Sequence, residues 1–237
     1  MSAESDQERR QRVIQLGSAA AFLAIVVVAV LIVIGQSGSD GGDTNLEGVA
    51  EVKHELAGIP QGGLILGDPG APVTLVEFGD LQCPVCKGYA EEIVPGVIDS
   101  KVRSGEARLE FRNFTIIDED SVPAAAAAIA AGKQGKGWSF VELFYRNQGI
   151  ERTGYVNDEF LTEIAREAGV SDIGKWNADR KSRRVLSEVS ADTAEAEQLG
   201  FGGTPSFAVE GPGTKGLEAL DAVGSAGELE AAIDAAG

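Results

Sequence analysis

The stretch that decides the fold is "PVTLVEFGDLQCPVCKGYAEE", residues 72–92, which contains both cysteines of the 237-residue chain. It begins with a nearly continuous apolar run over residues 72–80, and such a run predicts a central, buried strand. Cys83 and Cys86 follow, two residues apart, where a helix is predicted to begin and to continue to about residue 103. The local order is therefore strand, cysteine pair, helix.

The cysteine pair allows three interpretations: a structural disulfide, part of a zinc site, or a redox-active dithiol. A disulfide across two intervening residues closes a very small loop, so it restricts the unfolded chain little. A structural zinc site needs about four ligands, and the only other candidate ligand is the single histidine, His54, in a predicted linker. A Cys-x-x-Cys directly after a buried strand favours the redox dithiol. No metal or organic cofactor is implied.

The positions of the two cysteines on the helix predict different roles. Cys83 lies at the helix N-terminus, where free N–H groups and the positive end of the helix dipole stabilise a thiolate. We expect Cys83 to be exposed and to attack or be attacked. Cys86 lies one turn further in, so we expect it to be shielded and to resolve the mixed disulfide.

A second motif, "GGTPSFAV" at residues 202–209, places a proline at the start of a predicted strand. Such a proline could simply mark an edge strand, and only about 5% of X–Pro bonds are cis. In a chain that also has a strand, a Cys-x-x-Cys and a helix in succession, this run has the pattern of a cis-proline loop beside the dithiol.

The remaining elements predict an α/β domain. Further strands are predicted at residues 64–67, 107–117 and 217–223, a helical block at 118–200 and a final helix at 225–237. The aromatic residues of "GWSFVELFYRNQ", in the helical block, are expected to be core side chains. A mixed sheet covered by helices fits this order.

An uncharged apolar run precedes this domain, at residues 13–34. About twenty residues at about 1.5 Å each cross a hydrocarbon core of roughly 30 Å. The alternative is a cleaved signal peptide, but its apolar region has only about 7–15 residues and ends in a small-x-small site. The run is longer than that, and "VIGQSGS" is a poor cleavage site. We therefore predict an uncleaved transmembrane anchor.

Charges on both sides of the anchor predict its orientation. Three arginines precede the run and acidic residues follow it, which places residues 1–12 in the cytoplasm. Residues 35–60, rich in Gly, Ser and acids, are predicted to be a flexible linker. The protein is thus predicted to cross the cell (inner or plasma) membrane once, with residues 61–237 as an extracytoplasmic domain. That compartment is oxidising, so a disulfide can persist there. The net charge of −17 argues against a nucleic-acid partner.

Three motifs in order carry a resemblance to a known family: "VEFGDLQCPVCK" (76–87), "QGKGWSFVELFYRNQ" (134–148) and "LGFGGTPSFAVEG" (199–211). With these motifs the chain resembles the DsbA-like thiol:disulfide oxidoreductases of the thioredoxin superfamily, in their membrane-anchored exported form. The resemblance covers roughly residues 60–237. It implies a thioredoxin-like fold interrupted by a helical insertion at about 118–200.

The resemblance also implies how a substrate is held. It implies a cis bond between Thr204 and Pro205, packed against the disulfide. Together with Pro84 and Val85, between the cysteines, these two residues are expected to contact the substrate, which would lie extended and pair through its backbone.

Glu77 occupies a position where the family often has an acid, six residues before the first cysteine. This implies proton transfer to or from Cys86; the alternative is a surface or strand-end carboxylate. One position departs from the family, because strongly oxidising members carry histidine where this chain has Val85. Valine offers a thiolate neither a hydrogen bond nor a charge, so we expect a less oxidising disulfide.

Three functions follow as hypotheses. The first is an anchored oxidase of exported polypeptides with free thiols, which the family implies is recycled by an integral membrane quinone-linked oxidoreductase. The second is a reductase or isomerase on the same fold, although residues 35–60 are too short for the dimerisation domain of a dimeric isomerase. The third is a non-enzymatic anchored binding module whose disulfide is structural.

Overall fold

The computed structural model describes residues 46–237 of the chain. In this part the strands are β1 (Gln61–Gly62), β2 (Ile65–Leu66), β3 (Val73–Gly79), β4 (Ala107–Asn113), β5 (Ser206–Glu210) and β6 (Glu218–Ala219). The helices are α1 (Val49–Glu55), α2 (Pro84–Glu92), α3 (Val94–Val97), α4 (Ser121–Gly132), α5 (Gly137–Arg146), α6 (Asp158–Glu167), α7 (Ile173–Arg180), α8 (Arg183–Gln198) and α9 (Ala226–Ala236). A π-helical turn, Ile98–Val102, follows α3.

The strands form one mixed sheet in the order β1-β2-β4-β3-β5-β6. Strand β3 lies at its centre, parallel to β4 and antiparallel to β5. Every residue of β3 is buried, which explains its nearly continuous apolar sequence. The predicted central strand is confirmed, and the cysteine pair follows its carboxyl end.

The outer strands are shorter than the sequence predicts. The strand predicted at 64–67 has two residues in β2, and the one predicted at 217–223 has two in β6. Strand β4 ends at Asn113 instead of residue 117, because the Asp80 carboxylate draws the chain out of the sheet. Its Oδ2 accepts the backbone N–H groups of Ile116 and Ile117, at 2.8 and 3.0 Å.

The helix predicted from 84 to 103 is interrupted. Helix α2 ends at Glu92, and α3 and the π-helical turn follow it as separate elements. Pro95 explains the break, since it lacks an N–H for the carbonyl of Glu91 and its ring clashes with that carbonyl.

A helical insertion, α4–α8, lies between β4 and β5. The segment between α5 and α6 is not helical, so the prediction of helix throughout 118–200 is wrong there. After its first turn helix α4 is buried, with every residue from Ala124 to Ala131 covered, and it contacts α5, α6, α7 and α8. Trp138 on α5 is buried and donates to the Leu64 carbonyl at 2.7 Å, so the aromatic residues predicted as core are core.

The prediction of a flexible linker over residues 35–60 is wrong for its described part. Residues 49–55 form α1, which buries Val52 and contacts α5. Glu55 accepts a hydrogen bond from Arg146 at 2.8 Å. Val52 and Leu56 are spaced as one apolar helical face, a signal that the Gly-rich and acidic composition obscured.

The predicted cytoplasmic N-terminus (1–12), the transmembrane anchor (13–34) and residues 35–45 of the predicted linker lie outside the described residues. Within residues 46–237, no helix has the length and apolar character needed to cross a bilayer.

Candidate active site

Cys83 is the N-cap residue of α2, at the carboxyl end of β3. Its Sγ accepts the backbone N–H of Cys86 at 3.4 Å. Pro84 occupies the first helical turn, where the missing N–H has no intrahelical partner to lose. Both thiols are reduced. The first cysteine therefore lies at the positive end of the helix, as the sequence predicts.

Both cysteines are buried, which corrects the expectation that Cys83 is exposed. Cys83 is 4% exposed and Cys86 is fully covered. The cover over Cys83 comes from a loop far along the chain, because its Sγ lies 3.4 Å from the Thr204 carbonyl oxygen. The loop at Thr204 therefore lies directly against the sulfur of Cys83.

The four residues expected to contact substrate lie close to Cys83. Val85 is 55% exposed and Pro84 is exposed beside it, while Thr204 and Pro205 are half-buried. The peptide bond between Thr204 and Pro205 is cis, as the resemblance implies. An open cleft of about 440 Å³ runs along this loop, bordered by Val223 and its neighbours.

The environment lowers the pKa of Cys83 to about 6. The main cause is the hydrogen bond from the Cys86 thiol, which stabilises the Cys83 thiolate. Burial opposes this effect, and the backbone N–H groups of Val85 and Cys86 add to it. At neutral pH Cys83 is therefore a thiolate.

Cys86 has the opposite character. Burial raises its pKa well above the ordinary value, and the hydrogen bond to Cys83 and the charge of Glu77 raise it further. Cys86 therefore keeps its proton, and the two cysteines divide into a thiolate and a thiol.

Glu77 lies within β3, below the cysteine pair, and is 6% exposed. Burial raises its pKa to about 8, with a further contribution from the charge of Cys83. Its Oε1 has no hydrogen-bond partner in the described structure, and it borders a cavity of about 10 Å³ with Trp138 and Phe207. This volume is close to the lower limit for one water molecule. The alternative of a surface carboxylate is therefore wrong.

Hydrogen bonds that the sequence did not reveal hold the loop before Cys83. The Asp80 carboxylate accepts the Gln82 N–H at 2.9 Å as well as the two N–H groups after β4. Gln148, after α5, donates to the carbonyls of Leu81 at 2.7 Å and Cys83 at 3.1 Å. The helical insertion thus fixes the position of Cys83. The only feature of the sequence that pointed to these hydrogen bonds was the position of Gln148 at the end of the motif at 134–148.

Comparisons with known proteins agree with this geometry. The family model described as thioredoxin matches residues 60–234. The probable disulfide bond formation protein D of Bacillus cereus is 34% identical over 149 residues, which cover 62% of this chain and 69% of that protein.

Solved structures give the same fold. A thioredoxin-like oxidoreductase from Silicibacter pomeroyi aligns with a TM-score of 0.58 and 34% identity, over 72% of this chain and 89% of that one. Oxidised BdbD from Bacillus subtilis aligns with a TM-score of 0.64 over 75% of this chain and 95% of that one, at 24% identity. The thioredoxin-like α/β fold with a helical insertion is therefore established. The chain belongs to the DsbA-like thiol:disulfide oxidoreductases of the thioredoxin superfamily.

Proposed function

We propose that the chain is a membrane-anchored, extracytoplasmic disulfide oxidase that transfers its Cys83–Cys86 disulfide to the thiols of exported polypeptides. The observation that carries the proposal is the opposite shift of the two thiol pKa values, with Cys83 lowered to about 6 and Cys86 raised. A stabilised Cys83 thiolate favours the reduced form of the pair, which makes the disulfide a stronger oxidant.

The reaction has two exchanges. A substrate thiolate attacks Sγ of Cys83, the Cys83–Cys86 bond breaks, and Cys86 leaves as a thiolate that takes a proton from the Glu77 carboxyl. A second substrate thiolate then attacks the substrate sulfur of the mixed disulfide and expels the Cys83 thiolate. The substrate loses two electrons, and the cysteine pair gains them.

Substrate binding is assigned to the loop and cleft beside Cys83. An extended segment would lie along Thr204 and Pro205, pair through its backbone and place its sulfur against Cys83. Exposed Pro84 and Val85 complete this surface. The open shape of the cleft suits many unfolded sequences.

The proposed location rests on the predicted anchor, and the proposed recycling partner rests on the family resemblance. Residues 13–34 would hold the domain outside the cell membrane, with residues 1–12 in the cytoplasm. An integral membrane quinone-linked oxidoreductase would re-oxidise the pair. The names of the Bacillus relatives, which refer to disulfide bond formation, support the oxidising direction.

A reductase is the second candidate, and Val85 is the observation that favours it. Its side chain offers the Cys83 thiolate no hydrogen bond or charge, which leaves the disulfide less oxidising.

One experiment separates the two directions: equilibration of the full chain, in detergent, with glutathione buffers. A reduction potential near about −120 mV, together with oxidation of a reduced, unfolded protein, is expected for the oxidase. A potential near about −270 mV would instead assign a reductase.

A further inference from the structure

The proposed exchange requires a proton to cross the protein interior. Cys86 gains a proton when the disulfide is reduced and loses one when it is re-formed, and Cys86 is fully covered. Glu77, its proton partner, is buried too. Because the pKa of Glu77 is raised to about 8, Glu77 is protonated at neutral pH. It must therefore release that proton towards solvent before it can accept the proton of Cys86.

A second buried acid lies on α5, the helix that carries Trp138 of the cavity beside Glu77. Glu142 is 1% exposed, and its Oε2 has no hydrogen-bond partner in the described structure. It follows Trp138, which borders that cavity, by one helical turn, so both residues lie on one face of α5. An unpaired buried carboxyl is costly, and neither the fold nor the exchange at Cys83 explains it.

The same face of α5 continues to solvent. Arg146 lies one more turn along, and its guanidinium is 2.8 Å from Glu55 of α1. The other oxygen of Glu55, Oε1, is buried without a hydrogen-bond partner among the described residues. Glu55 and Arg146 border an open groove of about 620 Å³, together with His54, Asp99 and Arg103.

We propose that Glu142 relays protons between Glu77 and Glu55, so that the proton exchanged with Cys86 reaches solvent along one face of α5. The proposal rests on the thiol–disulfide exchange described above. The carboxyl group of Glu77 passes a proton to the carboxylate of Glu142, through the small cavity, and Glu142 passes a proton to Glu55 at the groove. No electrons move along this route.

The charges around Glu142 suit a relay. Burial raises its pKa well above the ordinary value, and the charges of Glu55, Glu77 and Glu91 raise it further, while Arg146 lowers it. The pKa of Glu55 is also raised, mainly by burial, against the lowering effect of Arg146. Both shifts favour the protonated carboxyl, so each group can hold a proton that it then passes on.

The test uses Glu142→Gln in the full chain, in detergent. Glutamine has the shape and charge of a protonated glutamic acid but cannot relay a proton. The reduced protein is mixed with a small disulfide, and the first-order resolution by Cys86 is followed from pH 5 to 9. We expect resolution to slow about tenfold at neutral pH, and added formate to restore part of the rate.

Controls separate the relay from a structural role. Glu159→Gln, on the exposed surface of the same insertion, should resolve as the wild type does, and Glu142→Asp should recover part of the rate. If Glu142→Gln does not fold, Glu55→Gln, at the open end, should slow resolution in the same buffer-dependent way. A folded Glu142→Gln with a wild-type rate that formate does not change would overturn the relay.

A separate variant tests the underlying exchange. Cys86→Ser should abolish the first-order step altogether. If the step persists in Cys86→Ser, the proposed function fails, whatever Glu142→Gln shows.

Discussion

The two sides of the cysteine pair differ in what surrounds them. On the open side, Pro84 and Val85 are exposed and the Thr204–Pro205 loop borders a cleft. On the buried side, Cys86, Glu77 and Glu142 lie in the interior. The open side exposes the residues beside the Cys83 thiolate, whereas the buried side encloses a thiol and two carboxyl groups. In the proposed function, one helix N-terminus separates substrate recognition from proton transfer, and each side can be tested alone.

The largest effect is expected from the cysteines themselves. Cys83→Ser should lose all exchange activity, because the attacking thiolate is gone. Cys86→Ser should accumulate mixed disulfides through Cys83, since the resolving thiol is missing. Non-reducing electrophoresis of the full chain after incubation with a reduced, unfolded protein measures both. If Cys83→Ser accumulated the mixed disulfides instead, the attacking and resolving roles of the two cysteines would be reversed. The assignment of an open and a buried side would then be reversed as well.

Glu77→Gln should make the protein more stable at high pH. In the folded protein the pKa of Glu77 is raised from 4.5 to about 8, so the native state binds a proton that the unfolded state releases. The wild type therefore loses stability as the pH rises from about 4.5 to about 8, and the variant avoids this loss.

Urea unfolding of the reduced protein at pH 5 and pH 8 measures the effect. We expect the variant to gain about 2–4 kcal/mol relative to wild type between these two conditions. Glu210→Gln, at the exposed end of the neighbouring strand β5, is the matched control and should not show this pH dependence. An equal response of both variants would mean that Glu77 ionises as a surface group does.

Val85→His should change the pKa of Cys83 on the open side and leave the groups of the buried side unaffected. A histidine at this exposed position can place a positive charge beside the Cys83 thiolate, and so lower the pKa of Cys83 further. A decrease of about one pKa unit corresponds to a disulfide about 30 mV more oxidising.

The pH dependence of Cys83 alkylation and the glutathione equilibrium measure these two quantities. Val85→Thr, similar in size and uncharged, should leave both near the wild-type values. If Val85→Thr and Val85→His behave alike, the charge at this position does not control the thiolate.

The smallest effect is expected from Gln148→Leu. This change removes two donors, to the carbonyls of Leu81 and Cys83, and should cost about 1–2 kcal/mol of unfolding free energy. Thermal unfolding measures it, and Gln134→Leu, which removes three hydrogen bonds to the exposed Ser171 and Asp172, should cost less. Equal losses of unfolding free energy would mean that the hydrogen bonds at the active-site loop stabilise the protein no more than exposed ones do.

The sequence predicts the parts of the site that depend on neighbouring residues. Cys83 at a helix N-terminus follows from the apolar run of β3 and the helix after it, all within about twenty residues. The cover over Cys83 comes from Thr204, 121 residues away, so no local pattern could predict its burial. Glu142 illustrates the same limit, because a single acid in an aromatic helix gives no sign of whether it faces solvent or the interior.

The sequence predicted that these helices and strands exist more accurately than it predicted where they end. Helix α2 was expected to continue past Pro95, and β4 to continue to residue 117. In the structure Pro95 interrupts the helix, and Asp80 draws the chain from the sheet after Asn113. Both ends depend on single side chains that compete with a regular periodicity.

Helix α4 carries a consequence for how the chain can vary. Its alanines are enclosed by four other helices, and alanine has no side-chain rotamers to fix on folding. The insertion therefore assembles at a low entropic cost. Because the methyl groups are buried between helices, a larger side chain would have to displace its neighbours, and such overpacking costs about 1–3 kcal/mol. The Ala-rich helix α4 should therefore be among the segments least tolerant of substitution. In a deep mutational scan, we expect its alanines to accept as few other residues as the two cysteines do.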